Sequence, residues 1–206
     1  QDGDLYFALL SDWVDSAIQT APGDDELLSA AAHGIAELNQ RYGPAPSGPR
    51  FFLLHRRRMW NEGQGKWIGW ERKRGKLHEL NRWLRGASDT TFVSDGDALP
   101  SPPPDVRYVI TLDADTRLPR GSAKRLVGKM AHPLNRPRLD PVNGRVVEGY
   151  AVLQPRVSPS LPKRYEGSLF QRVFTSPSGL DPYAFPVSGV YQDLFGKGSD
   201  GGKGLL

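Results

Sequence analysis

"VRYVITLDADTRLPRG" (residues 106–121) is the stretch on which the fold reading turns. An apolar run from Val106 to Leu112 stops at two carboxylates, Asp113 and Asp115, and Pro119 and Gly121 supply a turn signal just after. A short β-branched run bounded by breakers has the pattern of a buried strand. Alternate strand residues face the same side, so a strand ending here would let both carboxylates approach one divalent cation. Mg²⁺ and Mn²⁺ prefer hard oxygen ligands and keep waters and substrate phosphates in their shell. The same residues also read as solvated turn acids, or as an aspartate nucleophile for phosphoryl transfer. Against the last, the D-x-D-x-[TV] pattern of such nucleophiles would need Thr or Val at position 117, and Thr116 comes one place early.

Outward from that stretch, strands and helices alternate. "LYFALLSD" (5–12) reads as a strand ending at Asp12. "DDELLSAAAHGIAELNQRYG" (24–43) reads as a helix, with apolar residues at 27, 28, 31, 35, 38 and 42, Asp24 or Asp25 as cap, and Gly43-Pro44 as stop. "RFFLLHRRRMW" (50–60) begins as a strand and runs into arginines, and "NEGQGKWIGW" (61–70) is a loop or hairpin. "KLHELNRWLRG" (76–86) is a second helix ending at Gly86. Residues 88–105 are mostly loop, "SAKRLVGKMAH" (122–132) is a third helix, Asn143-Gly144 signals a hairpin, and 149–154 reads as a strand. From 158 onward glycine, proline and aromatics alternate without clear period. The expected fold is α/β, a mostly parallel sheet flanked by helices. Ligands of such sheets sit at strand C-terminal ends, where Asp12, the arginine run and Asp113/Asp115 all fall.

The bulk numbers narrow the class. The chain has 206 residues, 38% hydrophobic, with 23 Gly and 18 Pro, which makes it loop-rich. It has no cysteine, so disulfides, thiolate metal sites and cysteine nucleophiles are excluded. No apolar run is long enough to span a bilayer, and the N-terminus has neither the positive region nor the cleavage site of a signal peptide. The net charge of +4 favours anionic ligands.

Lys73, Arg74, Gly75 and Lys76 open the second helix, where basic side chains and free N–H groups suit a phosphate; a solvated basic turn is the equal alternative. Gly196, Gly198 and Gly201 have G-x-G-x-x-G spacing without a helix to follow, so they read as a flexible loop. The histidines at 33, 55, 78 and 132 show no metal spacing. Trp60, Trp67 and Trp70 read as hairpin packing or as stacking surfaces for a sugar or base. A basic nucleic-acid module using Arg56–Arg58 and Arg72–Lys76 is the non-catalytic rival.

Several longer segments, "RRRMWNEGQGKWIGWERKRGKLHELNRWLRG", "YVITLDADTRLP", "EGYAVLQPRVS", "GSLFQRVF" and "GLDPYAFPVSGVYQDLFGKGS", resemble the glycosyltransferase domain of bacterial cyclic β-1,2-glucan synthases over nearly the whole chain. The resemblance implies a GT-A-like (Rossmann-like) fold, incomplete at both ends. It implies UDP-glucose as donor, Mg²⁺ or Mn²⁺ as cofactor, a growing β-1,2-glucan as acceptor, and no nucleic acid. The expected setting is the cytoplasmic face of the bacterial inner membrane, within a larger membrane-embedded synthase. By the same resemblance, residues 1–157 form the donor- and metal-binding part and 158–206 an acceptor-side loop region. Asp12, Lys73, Arg74, Gly75 and Lys76 would hold the nucleotide sugar, Asp113 and Asp115 the metal and diphosphate. Gln154, Tyr191, Gln192 and Asp193 would lie on the acceptor side. The turn departs from the pattern at His78, where relatives such as cellulose synthases carry Asn. The catalytic base, an aspartate in that family, is expected beyond Leu206.

Overall fold

The structure is a computed structural model and describes residues 5–93 and 99–155. The chain divides into two compact units, Gln1–Val106 and Arg107–Leu206.

The first unit is built around one central strand. β1 (Phe7–Asp12) and β2 (Phe51–Arg56) pair in parallel, and β5 (Phe92–Val93) pairs antiparallel with the end of β2, giving the order β1-β2-β5. β3 (Met59–Asn61) and β4 (Lys66–Ile68) form the expected hairpin as a separate sheet. Two helices complete the unit, α1 (Asp24–Tyr42) and α2 (Arg72–Leu84). The α/β alternation holds, but the sheet is mixed rather than mostly parallel. The expectation failed because residues 88–105, taken as loop, contribute β5 as a short return strand. Glu79 of α2 holds it there, its buried Oε2 accepting from Thr91 N (3.0 Å) and Thr91 Oγ1 (2.7 Å).

Strand alternation gives β2 two working faces. Phe52 and Leu54 look one way and pack with Leu80, Trp83 and Phe92 in the core; Phe52 and Trp83 meet edge to face at 5.7 Å. Phe51 looks the other way, stacked on Phe7 at 5.0 Å and met by Tyr42 of α1. Asn39 fastens α1 to the start of β2: its Nδ2 donates to Phe51 O and its Oδ1 accepts from Arg50 N and Phe51 N. Gly23 rather than an aspartate caps α1, because the Asp24 carboxylate is engaged by Ala21 N and by Arg58. At the far end of α2, Gly86 takes φ 86°, Gly86 N donates to Trp83 O and Ala87 N to Arg82 O, a paired 5→2 and 6→1 termination that needs the left-handed glycine.

The second unit contains α3 (Ser122–Ala131), a 3-10 turn (Pro133–Asn135), and a hairpin of β6 (Arg138–Asp140) and β7 (Arg145–Glu148) turning through Asn143-Gly144 as expected. The expected strands at 106–112 and 149–154 do not form; Ile110 and Leu153 are isolated bridge positions. A strand exists only through ladder partners, and in this unit β6 and β7 pair with each other. The composition of residues 106–112 suits a strand, yet the run is half-buried to exposed rather than central. Residues 156–206, including the acceptor-side region, lie outside the described residues.

Candidate functional site

β1 and α2 bring one half of the predicted site together. Asp12 ends β1 opposite Arg56 in the parallel register. Its Oδ1 accepts from Arg56 Nε at 2.6 Å and its Oδ2 pairs with Lys76 Nζ at 3.0 Å. Arg56 is wholly buried and all of its nitrogens are used: Nη1 donates to Trp70 O and Nη2 to Arg72 O, both at 2.9 Å. One guanidinium therefore ties the end of β1 to the exit of the β3–β4 hairpin and the first residue of α2. A planar fork suits this; a single ammonium would not reach all three. The cluster of Asp12, Arg56 and Lys76 carries a net positive charge.

Two glycines make the approach possible. A Cβ at Gly75 would strike the Trp70 carbonyl and come within 2.7 Å of Trp70 Cε3 and 2.9 Å of Arg56 Nη1. A Cβ at Gly69 would sit 2.8 Å from Asp12 Cγ. Gly75 is buried, and its lack of a side chain is what lets α2 lie this close to Trp70 and Arg56. The entry to α2 also holds its cap Glu71 (φ 50°) and first residue Arg72 (φ 48°) in the left-handed region, a conformation costing about 1–3 kcal/mol each for such residues. The Arg56–Arg72 hydrogen bond helps to hold it.

α2 begins at Arg72, earlier than the expected residue 76, so Arg72, Lys73, Arg74 and Lys76 all lie at its beginning with no acidic residue in the first turn. Cations there oppose the helix dipole and free N–H groups, an arrangement that an anion would relieve. Arg74 pairs with Glu71 at 3.1 Å and Arg72 with Asp15 at 3.0 Å, both on the exposed side, and Lys73 is exposed.

Sequence reasoning missed a second buried pair beside this cluster. Arg58 binds Asp24 through both carboxylate oxygens and donates to Val14 O (2.8 Å) and Gln19 O (3.0 Å), fastening the loop after β1. The Arg58 hydrogen bond holds the Asp24 carboxyl below its ordinary range despite burial. His55 stands between these pairs, buried, its Nδ1 2.8 Å from Ser11 Oγ and its ring 4.1 Å from Trp13. Burial lowers its pKa from the usual value, and Nε2 has no hydrogen-bond partner among the described residues. Alternation places Arg56 on the same strand face as the apolar Phe52 and Leu54, but its partner is set by the β1–β2 register, which no local pattern shows. Arg56 and Arg58 are buried and committed internally, leaving only Arg57 of that run exposed, so the first of the two basic stretches named for a nucleic-acid module is largely unavailable to a ligand.

The remaining predicted residues belong to the second unit. Asp113 and Asp115 flank a turn, with Thr116 N donating to Asp113 O at 2.9 Å. The turn removes the strand alternation that was expected to put both carboxylates on one face. Asp113 is half-buried and Asp115 exposed, with Thr116 Oγ1 3.4 Å from Asp115 Oδ1. Among the described residues no group of three or more His, Asp or Glu side chains is arranged to hold a metal. Two carboxylates on a turn fit Mg²⁺ or Mn²⁺ only as partial ligands, the other positions falling to water and ligand oxygens. Gln154 is exposed, and Tyr191, Gln192 and Asp193 lie outside the described residues. No described helix is long and apolar enough to cross a membrane.

No family model matches the chain. A curated protein does: cyclic β-(1,2)-glucan synthase NdvB of Rhizobium meliloti (strain 1021) is 55% identical over 203 residues, 98% of this chain. The match spans only 7% of that protein's length. The chain is therefore homologous, along nearly all of its length, to one short stretch of a cyclic β-(1,2)-glucan synthase.

Proposed function

We propose that the chain is the donor-binding part of a GT-A-like glucosyltransferase domain that uses UDP-glucose to extend a β-1,2-glucan within a larger membrane-embedded synthase. The observation that carries the proposal is the cationic start of α2, locked to Asp12 at the end of β1 through Lys76 and Arg56. Similarity to a protein named as a cyclic glucan synthase supports the choice of reaction.

In this reading Lys76, with Lys73 and Arg74, faces the diphosphate, and Asp12 lies near the nucleoside. Arg56 is a positioning residue whose bonds keep Asp12 and the α2 start in place. Asp113 and Asp115 would hold a divalent cation, which, when bound, offsets charge developing on the departing diphosphate. The acceptor 2-hydroxyl attacks the anomeric carbon, the bond from that carbon to the UDP oxygen breaks, and a base outside the described residues takes the hydroxyl proton. The lysines favour the step by stabilising the leaving dianion more than the bound sugar nucleotide. The test is Asp115→Ala in the full-length protein: glucose transfer from UDP-glucose should be abolished. Wild-type turnover by that variant would remove Asp115 from the metal site.

A further inference from the structure

The β3–β4 hairpin presents an aromatic surface that the donor chemistry does not use. Trp60 and Trp67 stand directly opposite each other across the hairpin, ring centroids 5.8 Å apart and tilted by 61°. Trp60 is 49% exposed, and neither indole N–H has a hydrogen-bond partner among the described residues. The cross-strand ring contact supports the hairpin but leaves half of Trp60 open, while Ile68, on the opposite face, supplies the buried anchor. Trp67 N and O are held by Ser16 at 2.8 and 3.0 Å, so the surface is fixed to the loop that follows β1.

Its neighbourhood favours a polar, flat ligand. Ser16 lies across the row from Trp67, and the exposed hairpin tip carries Glu62 and Gln64. The surface also adjoins the charged cluster. β4 ends at Ile68 and leads straight into Gly69, which packs on Asp12: a Cβ there would lie 2.8 Å from Asp12 Cγ.

We infer that Trp60 and Trp67 form a carbohydrate-stacking platform that holds the glucan chain beside the donor cluster. This rests on the proposed function for the identity of the sugar. The apolar C–H face of a glucose ring lies on an indole, while its hydroxyls accept from the indole N–H groups.

The test uses the full-length protein and short linear β-1,2-glucan oligosaccharides, with affinity followed by calorimetry and Mn²⁺–UDP affinity measured on the same samples. Trp60→Ala should weaken glucan binding about tenfold, the size of one aromatic stacking contact, and leave UDP affinity unchanged. Trp60→Tyr should retain binding, which guards against a folding artefact, whereas Trp60→Leu should lose it. Absence of glucan binding by the wild type, or wild-type affinity in Trp60→Ala, overturns the platform. Full retention by Trp60→Leu also overturns it, marking an apolar contact that needs no aromatic face. Glucan binding without UDP binding leaves the platform standing and removes the donor reading instead.

Discussion

The two units treat their acidic residues differently. In the first, Asp12 and Asp24 are each met by a buried arginine that has several further hydrogen bonds to backbone carbonyls. In the second, Asp113 and Asp115 sit on a turn, and Asp115 is exposed. The difference is one of commitment. A carboxylate wired into a buried network holds the fold and presents a fixed charge to a ligand; a carboxylate as exposed as that of Asp115 contributes little to the fold. Removing the first kind should cost stability, and removing the second should cost only binding or turnover.

Arg56→Met breaks that comparison most sharply. It leaves Asp12 with Lys76 alone and strands the Trp70 and Arg72 carbonyls, so destabilisation of about 3–5 kcal/mol is expected in urea unfolding. A loss below about 1 kcal/mol would show that the network does not hold the unit together. Gly75→Ala comes next. Alanine favours a helix interior, but the collision with Trp70 should outweigh that by about 1–3 kcal/mol, read as a lower melting temperature. A rise in melting temperature would mean that α2 can move away from Trp70 freely.

The pH dependence sharpens the same contrast. His55 has a native pKa lowered from 6.5 by burial, so below that pH the unfolded chain takes up a proton that the native state refuses. Stability should fall as pH drops through 6.5 toward the native value, and His55→Gln should flatten the slope. Identical slopes in the two proteins would contradict the burial argument. Asp24, held low by Arg58, adds a loss only at more acid pH, beginning near 3.8. The smallest effect is expected at Arg82–Asp89, a 2.5 Å pair on the exposed surface: Asp89→Ala should leave the melting temperature unchanged within error.

How much of this was legible depended on the range of the information needed. α1, α3 and the Asn143-Gly144 hairpin are local, and their periodicity and turn residues place them well. α2 was found, but its start was missed because residues 72–75 are basic and include a glycine. Their place in the helix depends on Arg56, distant in sequence, and on the Gly75–Trp70 contact. Residues 106–112 failed for the same reason in reverse: strand-like composition cannot supply a ladder partner. At the candidate site, Asp12 and Lys76 were legible as strand-end and helix-start charges. Arg56, Arg58 and His55 were not, because their roles come from a parallel register that pairs Asp12 with Arg56 and Ser11 with His55.

The most direct test of the account is calorimetric titration of the full-length protein with UDP, with and without Mn²⁺, comparing wild type, Lys76→Met and Asp115→Ala. The account predicts binding that strengthens with Mn²⁺ in the wild type, weakens in Lys76→Met, and loses its Mn²⁺ dependence in Asp115→Ala. UDP binding that is absent from the wild type, or indifferent to both Mn²⁺ and the two substitutions, would contradict it.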